Sequence, residues 1–387
     1  MDRRALLGGL CACAAFATQA AHATDAYGSI YFAGYAFLPR DDEVSARLRH
    51  TEPIVANSSG LNSSLAATAQ RFEAPNFPRL VVSELGQLAG TDQALVLALA
   101  FDREHAWIER HGDLYKLSVE IWAQALVFDF VSNQVIAAYP LAARFNDARA
   151  ERFVEADTQA AIRRMAVGQG EEGIPACFWR TLANVALPGP ASRTLRVTKV
   201  EFSEQATEHL GRFDVSPTDL APQIAADLAA FITMNKHVPV LPHSSGAALG
   251  STMAARMADG AVYQLAIPQP DYEVLVRVDG FRRVVAEQTE LRAAYVYGAF
   301  ATIEITEPLT QRVLFSARMR RGAQRTVLLD AELNEWPSYY EALIGLFSDV
   351  TSQMTRDARQ WEQTHLVSDR TPLNSLRTLN DLLEQCR

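Results

Sequence analysis

ALVFDFVSNQVIAA, residues 125–138, is an apolar run, a polar turn at Val-Ser-Asn and a second apolar run. Alternating apolar side chains broken by turn residues predict a β-hairpin. The chain writes the same text again at 301–317, ATIEITEPLTQRVLFSA: an Ala, an alternating run, a polar turn and a second run that ends in Ala. A hairpin that recurs this far along a chain of 387 residues, which is long enough for two ordinary domains, raises the expectation of an internal duplication.

Working outward, each hairpin sits in a predicted three-strand meander. The first covers 94–109, 114–130 and 134–145, and the second covers 273–287, 290–305 and 311–322. Each meander is preceded by an isolated strand, SIYFAGYAFLP at 29–39 and TLRVTKVEFS at 194–203. Predicted helices follow the first isolated strand at 63–74 and the second at 216–235. In the latter, Ser216 is placed as N-cap and Pro217 at the first helical position. Short helices are expected at 156–166 and within 177–187, a short buried strand at 238–242, a small helix at 246–258 and a long helix at 338–363. Ala125 matches Ala301 and Phe37 matches Phe202, with a smaller offset for the second pair, as extra residues around 238–246 would produce. The expected fold class is therefore α/β (α+β): two similar domains, each a mixed sheet with a long antiparallel meander covered by helices. Pro188-Gly189-Pro190 gives the boundary. The expected division is 1–23 signal peptide, 24–187 first domain, 188–193 linker, 194–365 second domain and 366–387 C-terminal tail.

The opening MDRRALLGGLCACAAFATQAAHA has a basic start, an apolar centre and a small-x-small end at Ala21-His22-Ala23, the pattern of a secretory signal cleaved before Thr24. Arg3-Arg4 leaves twin-arginine export open beside the general secretory route, and Cys13 leaves lipidation open. Export to the periplasm or the outer-membrane periphery is expected. No later segment is long and apolar enough for a transmembrane helix, so no integral membrane segment is expected after signal removal. In an oxidising compartment Cys177 and Cys386 become a possible disulfide, with two free thiols as the alternative. A formal net charge of −9 without a concentrated basic face, the run RMRRGAQR at 318–325 apart, excludes an ordinary nucleic-acid partner.

Leu228 to Pro242 carries a helix end followed by Val238-Pro239-Val240-Leu241-Pro242. With the strand, amphipathic helix, meander and closing helix around it, this order resembles the α/β domain shared by the TolB N-terminal domain, CsgG, LpoB and PelC, in two tandem copies. The resemblance implies binding of other envelope components and supplies no catalytic residue. It lacks a convincing lipobox, a CsgG-type membrane hairpin and a β-propeller.

No motif of defined spacing marks a cofactor, a metal site or a catalytic group. His105 and His111 among Asp102, Glu104, Glu109 and Asp113 read as a polar hairpin end. HSSGAALG at 243–250 has neither the lysine of a phosphate loop nor the full dinucleotide spacing. The binding candidates are Tyr295 and Tyr297 on a strand face and His237, His243 and Ser244 in a loop at strand ends. The leading expectation is an exported, non-catalytic envelope protein that binds an envelope protein or polymer as an assembly component of a secretion or cell-surface structure. A periplasmic hydrolase with a scattered active site and an oligomer-forming structural envelope protein, a homo-oligomer, are the alternatives.

Overall fold

The structure, a computed structural model, describes residues 28–38, 47–82, 88, 94–111, 113–168, 170–243, 252–328, 334–353, 358–367 and 375–387. The expected signal peptide and Ser244 lie outside these residues. Strand β1 (Ser29–Phe37) pairs at its start with β2 (Arg79–Val82) and runs parallel to β3 (Leu95–His111). The chain then meanders through β4 (Leu114–Asp129) and β5 (Gln134–Arg149). After residue 190 the pattern restarts. β6 (Leu195–Phe202) is parallel to β9 (Tyr272–Gln288), which meanders into β10 (Arg292–Glu307) and β11 (Arg312–Leu328). The order β1-β3-β4-β5 recurs as β6-β9-β10-β11.

The correspondence extends to backbone irregularities. Both 125–138 and 301–317 are hairpins whose turn ends on a left-handed residue, Asn133 at φ 52° and Gln311 at φ 55°. The ladder of each meander slips by one residue at an aspartate, Asp102 between Phe101 and Arg103 and Asp279 between Val278 and Gly280. Such bulges bend a strand and increase its local twist. Helices cover one face of each sheet, so the fold is α/β with two similar meander sheets. Helices α1 (Thr51–Ala56), α2 (Leu61–Ala69), α3 (Glu155–Val167) and α4 (Ile174–Asn184) pack on the first. Helices α5 (Glu204–Gly211), α6 (Pro217–Lys236) and α7 (Trp336–Ser352) pack on the second, followed by α8 (Arg359–His365) and α9 (Ser375–Glu384).

Two expectations are corrected. Thr252–Met257, inside the expected helix 246–258, is strand β7, paired with β8 (Val262–Ala266). This hairpin comes from the second half of the chain yet completes the first sheet, because β8 meets β5 and β7 meets Ala36 and Phe37 of β1. The hydrogen-bonded circuit β1-β3-β4-β5-β8-β7 closes on itself around a core of small and medium side chains, among them Ala36, Val96, Ala98, Ala100, Leu126 and Met257. An alanine-rich segment with good helix propensity becomes a strand because it fills that gap and buries Ala255 and Met257. Residues 238–242 make an isolated bridge, Arg196 with Leu241, in place of a strand.

The C-terminal residues are part of a core. Leu376, Leu379, Leu382, Leu383 and Cys386 pack into the second core, and the Gln385 carbonyl accepts from the Arg193 amide. Leu383→Ala is expected to lower stability by about 2–5 kcal/mol, the usual cost of truncating a buried leucine. Leu309→Ala, on a side chain 93% exposed, leaves stability within about 0.5 kcal/mol. Urea denaturation of both variants checks this, and equal midpoints would detach the tail from the core.

Candidate functional site

Strand β4 shows how one segment serves two surfaces. Leu117, Val119 and Ile121 point into the helix-covered core of the first unit. Strand alternation sends Lys116, Ser118, Glu120 and Trp122 to the opposite face. Cross-strand pairing arranges that face in rows: His105, Glu120 and Arg144 lie abreast on β3, β4 and β5, and Trp107, Ser118 and Asn146 form the next row. Helices α6 and α7 of the second unit approach this face, with α6 against β5. They leave between the units a groove of about 530 Å³, walled by Trp107, Glu120 and Arg144 on one side and Phe231, Trp336 and Tyr340 on the other.

The floor of the groove is an ionic joint. Asp227 of α6 is 1% exposed. Its Oδ1 accepts from Trp122 Nε1 at 3.1 Å and Arg144 Nη2 at 3.3 Å, and its Oδ2 accepts from the Tyr340 hydroxyl. Burial pushes the Asp227 carboxyl above the usual carboxylate range, against the pull of Arg144, Tyr340 and Trp122. Arg144 Nε also reaches Glu120 Oε1 at 3.0 Å. Glu120 Oε2 is buried and accepts no hydrogen bond among the described residues. Burial raises the Glu120 carboxyl to about 7, with Arg144 opposing the shift and Asp227 adding to it. Across the groove, Arg325 Nη2 meets Glu341 at 3.4 Å while its Nη1 donates to nothing among the described residues. Arg321, held to Asp349 at 2.8 Å, lies directly over Gly345 of α7: a Cβ built there falls 1.3 Å from Nη1. The missing side chain at 345 makes room for the guanidinium.

The structure scatters the residues predicted from sequence. Tyr297 is 1% exposed in the second core, edge-on to Tyr339, and Tyr295 is half-buried beside Arg283, so the two do not form an aromatic surface patch. The alternation that placed them on one face was sound, but that face is the one the helices cover. His237 caps α6 in the left-handed region at φ 58°. His243 faces a separate cavity of about 250 Å³ with Asp102, Arg103 and Gln124, and its Nδ1 is 2.7 Å from the Val197 carbonyl oxygen. Burial holds its imidazole below the usual histidine range. Asp102 in that cavity is paired with Arg47 and Arg103. Cys177 and Cys386 are free thiols in two different cores, which replaces the possible disulfide. His105 and Glu109 reach the groove. The lining comes from three separated stretches of chain, 105–146, 220–231 and 321–348, and matches no motif of defined spacing. The available signal was a strand with one apolar face whose second face reads Lys, Ser, Glu and Trp.

No protein-family model matches the chain, and no curated protein matches it. Solved structures similar to parts of it include a DUF330-family protein from Xanthomonas campestris, at 15% identity and a TM-score of 0.21 over 43% of this chain and 86% of that one. A minor lipoprotein from Acinetobacter baumannii gives 11% identity and a TM-score of 0.20 over 45% and 94%. A protein from Helicobacter pylori described as a homolog of neuraminyllactose-binding hemagglutinin gives 10% and 0.23 over 46% and 91%. These scores are too low to assign a shared fold. Among the described residues no helix is long and apolar enough to cross a membrane.

Glu120 binds its proton more tightly folded, at about 7, than unfolded, at 4.5. The protonated carboxyl therefore stabilises the fold fully below the unfolded value, and that contribution disappears as pH rises through the folded value. A tenfold difference in proton affinity is worth about 1.4 kcal/mol, and solvent in the groove reduces the total to on the order of 2 kcal/mol. Urea midpoints measured from about pH 4 to 8 are expected to fall between about pH 4.5 and 7 in the wild type and to level off above that. Glu120→Gln is expected to lose the Glu120 share of the slope; a curve parallel to wild type would remove Glu120 as its source.

Proposed function

We propose that the chain is an exported bacterial envelope protein that binds another envelope component in the groove between its two units. In this reading it serves as an assembly or accessory part of a secretion or cell-surface structure, at the periplasm or the outer-membrane periphery. The signal-like start supports export. The observation that carries the binding reading is a groove built by both units. It combines aromatic rings from each wall with buried polar atoms, Glu120 Oε2 and Arg325 Nη1, that have no partner among the described residues. Concave sites with aromatic walls and a few convergent polar groups are the usual form of a ligand site. The binding surface is thus moved from the tyrosines of β10 and the loop near 237–246 to this groove.

A second reading, a hydrolase, has one observation in its favour: His105 and Glu120 are direct cross-strand neighbours, and the glutamate holds its proton near neutral pH.

The test is affinity capture from envelope extracts with the chain from Thr24. Trp107→Ala and Trp336→Ala are run beside Leu309→Ser at an exposed hairpin tip. The expected result is a partner held by wild type and Leu309→Ser and lost, by at least about tenfold in yield, in both tryptophan variants. A partner retained by both tryptophan variants would place binding elsewhere. A hydrolytic activity abolished by Glu120→Gln would replace this reading with the second one.

A further inference from the structure

The groove's own chemistry narrows the class of ligand, an inference that rests on the binding reading above. The two tryptophans come from different walls, Trp107 from β3 and Trp336 from α7. Trp336 is fixed from behind: its ring lies 5.6 Å from that of Phe281 and 6.4 Å from that of Phe213, and 5.9 Å from Tyr340 at the groove. Aromatic planes held in this way present flat C–H-accepting surfaces without the entropy cost of ordering them on binding. Between them the polar lining includes the amides of Asn146, Gln223 and Asn334, the guanidinium of Arg325 and the carboxyl groups of Glu109, Glu120 and Glu341. These offer donors and acceptors in pairs, as adjacent ring hydroxyls require. Arg144, Arg321 and Arg325 each meet a carboxylate, but Arg325 keeps an unpartnered N–H at Nη1 beside its contact with Glu341, and Lys116 stands on the opposite wall. A carboxylate on the ligand answers that donor.

We infer that the groove binds an acidic oligosaccharide, with a sugar ring stacked on Trp336 and its carboxylate taken by Arg325. Glu120 then adds a pH response. It faces Arg144 on β5, His105 on β3, Lys116 on its own strand, Asp227 on α6 and Tyr340 on α7. With the proton on, Glu120 ceases to repel an acidic ligand, and a proton on its unpartnered Oε2 makes that oxygen a donor. Binding therefore tightens as pH falls.

The experiment uses the full exported chain and three probes: a heptameric oligogalacturonide, neutral maltoheptaose and a glutamate-rich heptapeptide. Binding is read by isothermal titration and tryptophan fluorescence. The expected result is saturable binding of the oligogalacturonide, at least about tenfold tighter than maltoheptaose. It weakens by at least about tenfold in Arg325→Gln and Trp336→Ala, and it tightens several-fold from pH 8 to pH 6 in wild type but not in Glu120→Gln. Trp336 also packs in the second core, so Lys116→Gln, on an accessible wall, serves as the additional variant, with circular dichroism confirming the fold of each. The inference is overturned if the oligogalacturonide fails to bind, binds no better than maltoheptaose, or binds Arg325→Gln and Lys116→Gln as it binds wild type. Preferential binding of the peptide also overturns it. Failure of the saccharide alongside envelope capture that still depends on Trp336 sinks this inference alone. Loss of that dependence sinks the binding reading itself.

Discussion

Asp227 is the interaction on which the arrangement of the two units turns. A carboxylate removed from water is costly unless its lone pairs are taken, and breaking such a buried network usually costs more than the network itself contributes. Here the takers come from both sides: Trp122 and Arg144 belong to the first sheet, and Tyr340 to a helix of the second unit. A slide of α6 along β4 and β5 by even one residue would strand the charge. Apolar packing alone tolerates such slides, whereas directional bonds to one carboxylate do not. The groove inherits its width from this joint, because Arg144 and Tyr340 are both its wall and its floor.

The two units repeat one strand order around this joint. The two meanders share strand order, a bulge aspartate and a left-handed turn residue, yet the copies use the bulge differently. In the second unit Asp279 is neutralised by Arg277 and Arg318 and accepts from Thr302 along an outer sheet face. In the first unit Asp102 is turned towards the cavity between the units, with Arg47 and Arg103 around it. One backbone device thus supports a surface ion cluster in one copy and an internal one in the other. The exchange of β7 and β8 into the first sheet adds a covalent tie between the copies that no surface contact provides.

The two three-strand meanders and the isolated strand before each were legible in the sequence because they depend on periodicity and turn chemistry, which are local, whereas β2, β7 and β8 were not read as strands. Residues 125–138 and 301–317 pair as read, and Ser216 caps α6 as read, with its hydroxyl accepting from the Asp219 amide at 3.3 Å. Whatever depends on what covers a face was hidden. Alternation showed that Tyr295 and Tyr297 share a side but not that Tyr339 sits against it. Helix propensity favoured a helix at 246–258, and the open edge between β5 and β1 overrode it. The groove is the extreme case, since its walls come from β3, β4, β5, α6, α7 and β11 and meet only after both units have folded and docked.

The row His105–Glu120–Arg144 bears on whether the groove is a site of chemistry or of binding. Two-carboxylate hydrolysis asks one group to hold a proton and a second to reach a water or the substrate. Glu120 meets the first condition. Of the other carboxylates, Glu109 and Glu341 line the groove, while Asp227 lies beneath the surface with both of its oxygens committed to Trp122, Arg144 and Tyr340. For Asp227 to act, the joint between the units would have to open. The same proton on Glu120 is useful to a binding site at once, because it removes a negative charge from a wall that otherwise offers Arg325 and Lys116 to the ligand. Glu120 thus gives the groove a charge that responds to pH, while the buried aspartate fixes its shape.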